Sequence, residues 1–98
     1  MTALVTGAGK RLGRAMALYL AGRGHDVAVH YASSAPEAEA VVAEIRAMGR
    51  RAQAFQADLL DETQVQALIP AVTAALGPLT VLVNNASIFE YDRIDTAT

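Results

Sequence analysis

The chain has no cysteine and no tryptophan, and aromatic residues fill only 5% of its 98 positions. Without thiols, these residues have neither a disulfide framework nor thiolate chemistry. Lysine occurs once, as Lys10, and no block of Lys and Arg stands out. With a net charge of −2, this argues against a general nucleic-acid binder. No apolar run reaches the roughly 18 residues that a membrane span requires. Two histidines and no cysteine give no support for a metal site. The first candidate strand follows Met1 almost at once, leaving no room for a signal or transit peptide, so a cytoplasmic protein is expected.

What is present is apolar and regular. Hydrophobic residues make up 53% of the chain, which suits a single well-buried domain. Short aliphatic runs at Thr2–Thr6, Asp26–Tyr31, Arg51–Gln56 and Leu79–Asn84 read as strands covered on both faces. Helical stretches lie between them. The first runs from about Leu12 to Arg23 and stops at Gly24. The second opens on Ser34-Ala35-Pro36-Glu37, a capping-box spacing, and carries an apolar stripe of Val41, Val42, Ile45 and Met48 up to Gly49. The third opens at Asp61 with Gln64 three residues on. It should turn Val65, Leu68, Ile69, Val72 and Leu76 to the core and end at Gly77-Pro78, with Pro70 kinking it or shifting its start. The order β-α-β-α-β-α-β predicts an α/β fold, the N-terminal portion of a doubly wound (Rossmann) parallel sheet. Four strands are only the first half of such a fold plus one strand, so residues 1–98 are expected to be an incomplete dinucleotide-binding domain.

The densest information lies in Thr6-Gly7-Ala8-Gly9-Lys10-Arg11-Leu12-Gly13. Strand, glycine turn and helix follow one another here, the arrangement that brings backbone N–H groups and a helix N-terminus up to a phosphate. The spacing departs from G-x-G-x-x-G, because Leu12 takes the slot of the last glycine. A nucleotide triphosphate loop would close with Gly-Lys-Ser/Thr, whereas Gly13-Arg14 stands here. A glycine turn that serves only tight strand–helix packing is the plain alternative.

Together with Asn84-Asn85-Ala86-Ser87 after the fourth strand and Asp58-Leu59 after the third, Thr6-Gly7-x-x-x-Arg11-x-Gly13 resembles the short-chain dehydrogenase/reductase family over essentially the whole chain. Two positions depart from that family's usual pattern: Arg11 replaces the middle glycine, and Ser87 replaces the glycine after Asn-Asn-Ala. With Lys10 and the His30-Tyr31-x-Ser33 end of the second strand, they are similar to the pteridine reductase branch.

The resemblance implies that Asp58 accepts from the adenine amino group, that Leu59 covers a face of that ring, and that Asn85 and Ala86 line the cofactor ribose. Asp58 as a simple cap of the loop before the third helix is the competing role. Ser87 could reach both the diphosphate and a substrate, and Phe89 could stack on a flat heteroaromatic ring such as a pterin. Phe89 packed under a loop is the ordinary alternative. The family's Tyr-x-x-x-Lys proton donor does not occur: the only lysine is Lys10, so no catalytic residue is expected within the chain.

The cofactor follows from charges. An NAD enzyme usually places Asp or Glu after the second strand, on the ribose hydroxyls. Here the strand ends His30-Tyr31-Ala32-Ser33-Ser34, with no acid before Glu37. Lys10 and Arg11 add cations on the neighbouring turn, and Ser33 adds a hydroxyl. These residues point to NADP(H), with His30 packed at the strand end or touching the phosphate. The expected protein is an NADPH-dependent reductase acting on a C=N or C=O group of a small molecule, pteridine reductase-like. A 3-oxoacyl-thioester reductase, a non-catalytic NADP-binding module and a ligand-free α/β domain are the alternatives. The resemblance also implies a homotetramer.

Overall fold

The computed structural model describes residues 1–7, 11–33 and 35–83. Its elements alternate as β1 (Thr2–Val5), α1 (Arg11–Gly22), β2 (Asp26–Tyr31), α2 (Ala35–Ala47), β3 (Ala52–Gln56), α3 (Glu62–Leu76) and β4 (Leu79–Val83). The strands are parallel and lie side by side in the order β3-β2-β1-β4. Each lies within one residue of its predicted run at every described end. Of the run's terminal residues, Thr6 and Arg51 fall just outside the strands, and Asn84 lies outside the described residues.

Alternation along the strands splits the core into two layers. Val5, Val27, Val29 and Ala52 face α1 and α2, where they meet Ala17, Ala21, Ala38, Val41, Val42 and Ile45. Leu4, Ala28 and Phe55 face the other way, onto Leu68, Val72 and Leu76 of α3. The small residues Ala17, Ala21 and Ala38 let α1 and α2 approach the sheet closely. Each buried Val, Leu or Ile then contributes about 1.5–3 kcal/mol of apolar burial.

Three apolar residues do not follow the predicted stripes. Val65 and Ile69 are more than a third exposed, because the row Leu68–Val72–Leu76 meets the sheet and no described element covers the flank beside it. Met48 is half exposed. It follows the end of α2, and its terminal methyl lies 3.6 Å from where a β-carbon on Gly22 would stand, so it lies over the end of α1 rather than in the core.

Both ends of α3 are built as the sequence predicts, while Ser34, the predicted cap of α2, lies outside the described residues. Asp61 caps α3, its side chain accepting from the amides of Thr63 (3.0 Å) and Gln64 (3.4 Å). Gly77 follows α3 with φ 103° and donates its N–H to the Thr73 carbonyl. Pro70 neither breaks α3 nor shifts its start, since capping and the buried row on either side of it outweigh the missing N–H. At the strands' amino ends, the Arg51 guanidinium donates to Asp26 (3.1 Å) and to the Leu76 carbonyl (2.8 Å), tying β2, β3 and α3 together.

Candidate functional site

In a doubly wound sheet, ligands bind beyond the carboxyl ends of the strands, where successive connections leave in opposite directions. The order β3-β2-β1-β4 puts that point between β1 and β4. Thr6 holds it closed at the base: its amide (2.9 Å) and its hydroxyl (3.3 Å) both donate to the Val83 carbonyl. Gly7 then turns with φ 64°, a left-handed conformation that favours glycine.

The N-terminus of α1 opens onto the same end of the sheet. Its first turn holds no acid. Arg11 and Leu12 are exposed there, and Gly13 is buried against the fold. Arg14, one turn in, forms an ion pair with Glu44 of α2 at 2.6 Å. Arg11 has no ion-pair partner among the described residues. A cation in the first turn opposes the helix dipole, so stability alone gives no reason for Arg11. An anion bound at this turn does.

His30 is the residue whose role the sequence could not show. It is 1% exposed and both ring nitrogens are engaged. The Gly7 amide donates to Nδ1 at 3.0 Å, and Nε2 lies 2.9 Å from the Ala57 carbonyl. A carbonyl can only accept, so Nε2 carries the proton and Nδ1 is bare: the ring is the neutral Nε2–H tautomer. Burial pushes its pKa below the ordinary value, against a smaller upward pull from the Ala57 carbonyl. Packing at the strand end, one of the two predicted roles, is the one found. Both ring nitrogens are spent on backbone groups, the Gly7 amide and the Ala57 carbonyl.

Tyr31 turns to the opposite face and packs half-buried against the α1/α2 layer. Ala32 and Ser33 are exposed after β2. The first carboxylate beyond them is Glu37, exposed in the first turn of α2. Among the described residues, the end of β2 is thus exposed and free of acid, as a phosphorylated ribose requires.

Asp58 is exposed; one of its oxygens accepts from the Leu60 amide (2.9 Å), and its own amide donates to the Gln64 side chain (2.8 Å). Gln64 also donates to Asp61 (3.2 Å), so a single side chain brackets the Asp58–Asp61 turn. This is the loop-capping role weighed for Asp58. Leu59 packs partly buried on the α3 layer. Lys10, Asn84, Asn85, Ala86, Ser87 and Phe89 lie outside the described residues.

The model of the family described as short chain dehydrogenase matches residues 1–97. The chain belongs to the short-chain dehydrogenase family. It is similar to the 3-oxoacyl-acyl-carrier-protein reductase FabG of Staphylococcus aureus, 52% identical over 87 residues, which are 89% of this chain and 35% of that protein. Among solved structures it is similar to a short-chain dehydrogenase from Burkholderia cenocepacia in complex with NADP. That similarity has 47% identity and a TM-score of 0.85, covering 96% of this chain and 40% of that one. A blue fluorescent protein from a metagenomic library, in complex with NADPH, is 44% identical with a TM-score of 0.82, covering 87% of this chain and 35% of that one. The chain spans about a third of the length of the curated relatives it matches, 35% for the FabG protein. Among the described residues, no helix is long and apolar enough to cross a membrane.

Proposed function

We propose that these residues bind NADP(H) as the cofactor half of a short-chain reductase that transfers hydride to a C=O or C=N group. The observation that carries this is the pairing of an acid-free, Arg11-bearing first turn of α1 with a β2 end that exposes Ser33 and no carboxylate. A ribose-binding acid would repel a 2′-phosphate; a guanidinium and a hydroxyl attract one. The NADP and NADPH complexes among the structural relatives support the same cofactor.

In this reading Gly7 and Gly13 shape the backbone that approaches the pyrophosphate, with Lys10 and Leu12 in the turn. Arg11 and Ser33 hold the 2′-phosphate, beside Tyr31. Asp58 and Leu59 border the adenine, and Asn85, Ala86 and Ser87 line the ribose and diphosphate. The bound nucleotide supplies the hydride. The 98 residues contain no Tyr-x-x-x-Lys, so the reading assigns them binding and positioning and not proton transfer.

For the substrate, identity with FabG favours the ketone of a 3-oxoacyl thioester. A second reading, a pterin C=N bond, is favoured by Lys10-Arg11, Ser87 and Phe89, whose ring suits stacking on a flat heterocycle. Turnover of acetoacetyl thioester and of dihydropterin by the complete protein, each with NADPH and NADH, separates the two. NADPH is expected to be preferred with either substrate, and equal use of NADH would overturn the cofactor reading. Pterin turnover that survives Phe89→Ala unchanged would overturn stacking. The assembly that this reading carries is a homotetramer, measured by light scattering.

A further inference from the structure

We infer that His30 is a positioning residue for the cofactor: its neutral imidazole clips the Gly7 turn to the end of β3, so that dinucleotide affinity falls when the ring is protonated. The inference rests on the cofactor reading above and adds to it a regulation of that site by pH.

The geometry leaves little freedom. Gly7 is the second residue past β1, at the switch point, and Ala57 is the first past β3, at the start of the loop that leads to α3. His30 lies between them on β2, and its two ring nitrogens bond one residue on each side at 3.0 and 2.9 Å. The Gly7 turn on one side and the Asp58-Leu59 loop on the other are thus held through one ring. A protonated imidazole donates from both nitrogens and accepts at neither. It would keep the Ala57 contact and lose the Gly7 contact, leaving the Gly7 amide facing a cation. The turn must then move, and it is the turn that receives the phosphates.

Among the described residues, the surroundings give the charged ring no compensation. On its face of the sheet lie Leu4 of β1 with Thr6 just beyond that strand, Phe55 of β3 with Ala57 just beyond it, and Leu68 and Val72 of α3, none of them charged. Tyr31, beside it in sequence, turns to the opposite layer. Among the described residues, the charges at this end of the sheet are exposed: Arg11 opening α1, Glu37 in the first turn of α2, Asp58 after β3, whose carboxylate accepts from Leu60, and Glu62 opening α3. Asp61, half-buried, spends its carboxylate on the α3 cap.

The test is calorimetric titration of the complete protein with NADP+ and with NAD+ between pH 7.5 and 5.5. NAD+ serves as the control because it lacks the 2′-phosphate, which itself titrates in this range. Wild-type affinity for both nucleotides is expected to fall a few-fold by pH 5.5, short of the roughly tenfold that an imidazole of ordinary pKa would give, because burial holds the pKa of this ring below that value. His30→Asn offers an amide in place of the ring and cannot be protonated, so its NAD+ affinity should vary less than twofold with pH. His30→Leu should be weaker at every pH, with the slope gone.

An NAD+ slope that persists in His30→Asn would overturn the inference and leave the cofactor reading intact. Wild-type protein that binds neither nucleotide would overturn both. Nitrogen chemical shifts of the wild-type imidazole provide a check independent of any variant. At neutral pH they should show the Nε2–H tautomer, and the reverse tautomer would refute the clip.

Discussion

Replacing Arg11 with alanine separates a binding cation from a stabilising one. Arg11 opens α1, is exposed, and has no ion-pair partner among the described residues. Its charge faces the positive end of the helix dipole, an unfavourable placement of about 0.3–1 kcal/mol before solvent screening. Arg11→Ala should therefore leave thermal stability unchanged or raise it slightly. Binding should move the other way. A charge-assisted hydrogen bond between guanidinium and phosphate contributes about 1.5–3 kcal/mol, equivalent to roughly 10- to 150-fold in affinity. Exposure puts the expectation at the lower end, and added salt should shrink it further.

The assay is the Kd for NADPH and NADH in wild type, Arg11→Ala and Arg11→Lys, at two salt concentrations, beside a melting curve of each protein without nucleotide. NADPH should weaken about tenfold in Arg11→Ala while NADH changes less than twofold. Arg11→Lys should fall between, because a point charge cannot fork onto two oxygens. Equal losses for the two nucleotides would place Arg11 on the pyrophosphate instead. A destabilised Arg11→Ala protein with unchanged affinities would make the residue structural and refute the reasoning.

Three further outcomes concern stability. Asp61→Ala removes the acceptor of two α3 amides and should cost about 1 kcal/mol, read as a lower urea midpoint. Pro70→Ala should stabilise the protein by up to about 3 kcal/mol, since Pro70 is exposed inside a continuous helix; a lower Tm would mean that the proline has a packing role. For Asp26, burial raises the pKa, but hydrogen bonds and charge from Arg51, with Arg50 beyond, outweigh it and hold the carboxyl below 3.8. Its contribution to stability is therefore complete above the unfolded value and lost as pH falls through the lower folded one, so Asp26→Asn should flatten the acid limb of urea midpoint against pH. His30 acts in a separate window, where its contribution is present above the ordinary histidine value and lost as pH falls from there toward its depressed folded value.

The parts that were legible in the sequence rest on local physics. Strand ends and helix caps came out within a residue or two, because a buried strand, an Asp-x-x-Gln cap and a glycine stop act over a few neighbouring positions. The stripe of α3 was only half legible. Periodicity shows that Val65, Leu68, Ile69, Val72 and Leu76 share a side of the helix, but which row meets the sheet depends on the docking angle. The structure chose Leu68, Val72 and Leu76. Asp58 shows the same division. Its place after the third strand was legible, while its bracing by Gln64 depends on how the turn folds back.

By itself the sequence determined the kind and order of the elements, the glycine turn that opens α1, and the charges that flank it. Residue type and short spacing suffice for those. Only the tertiary structure decided what His30 does. Its two partners, Gly7 and Ala57, lie 23 residues before it and 27 after it, on neighbouring strands' ends. No local pattern relates such positions. Parallel pairing of β1, β2 and β3 brings the three chain segments to one level, and burial then leaves the ring no partner but those two backbone groups.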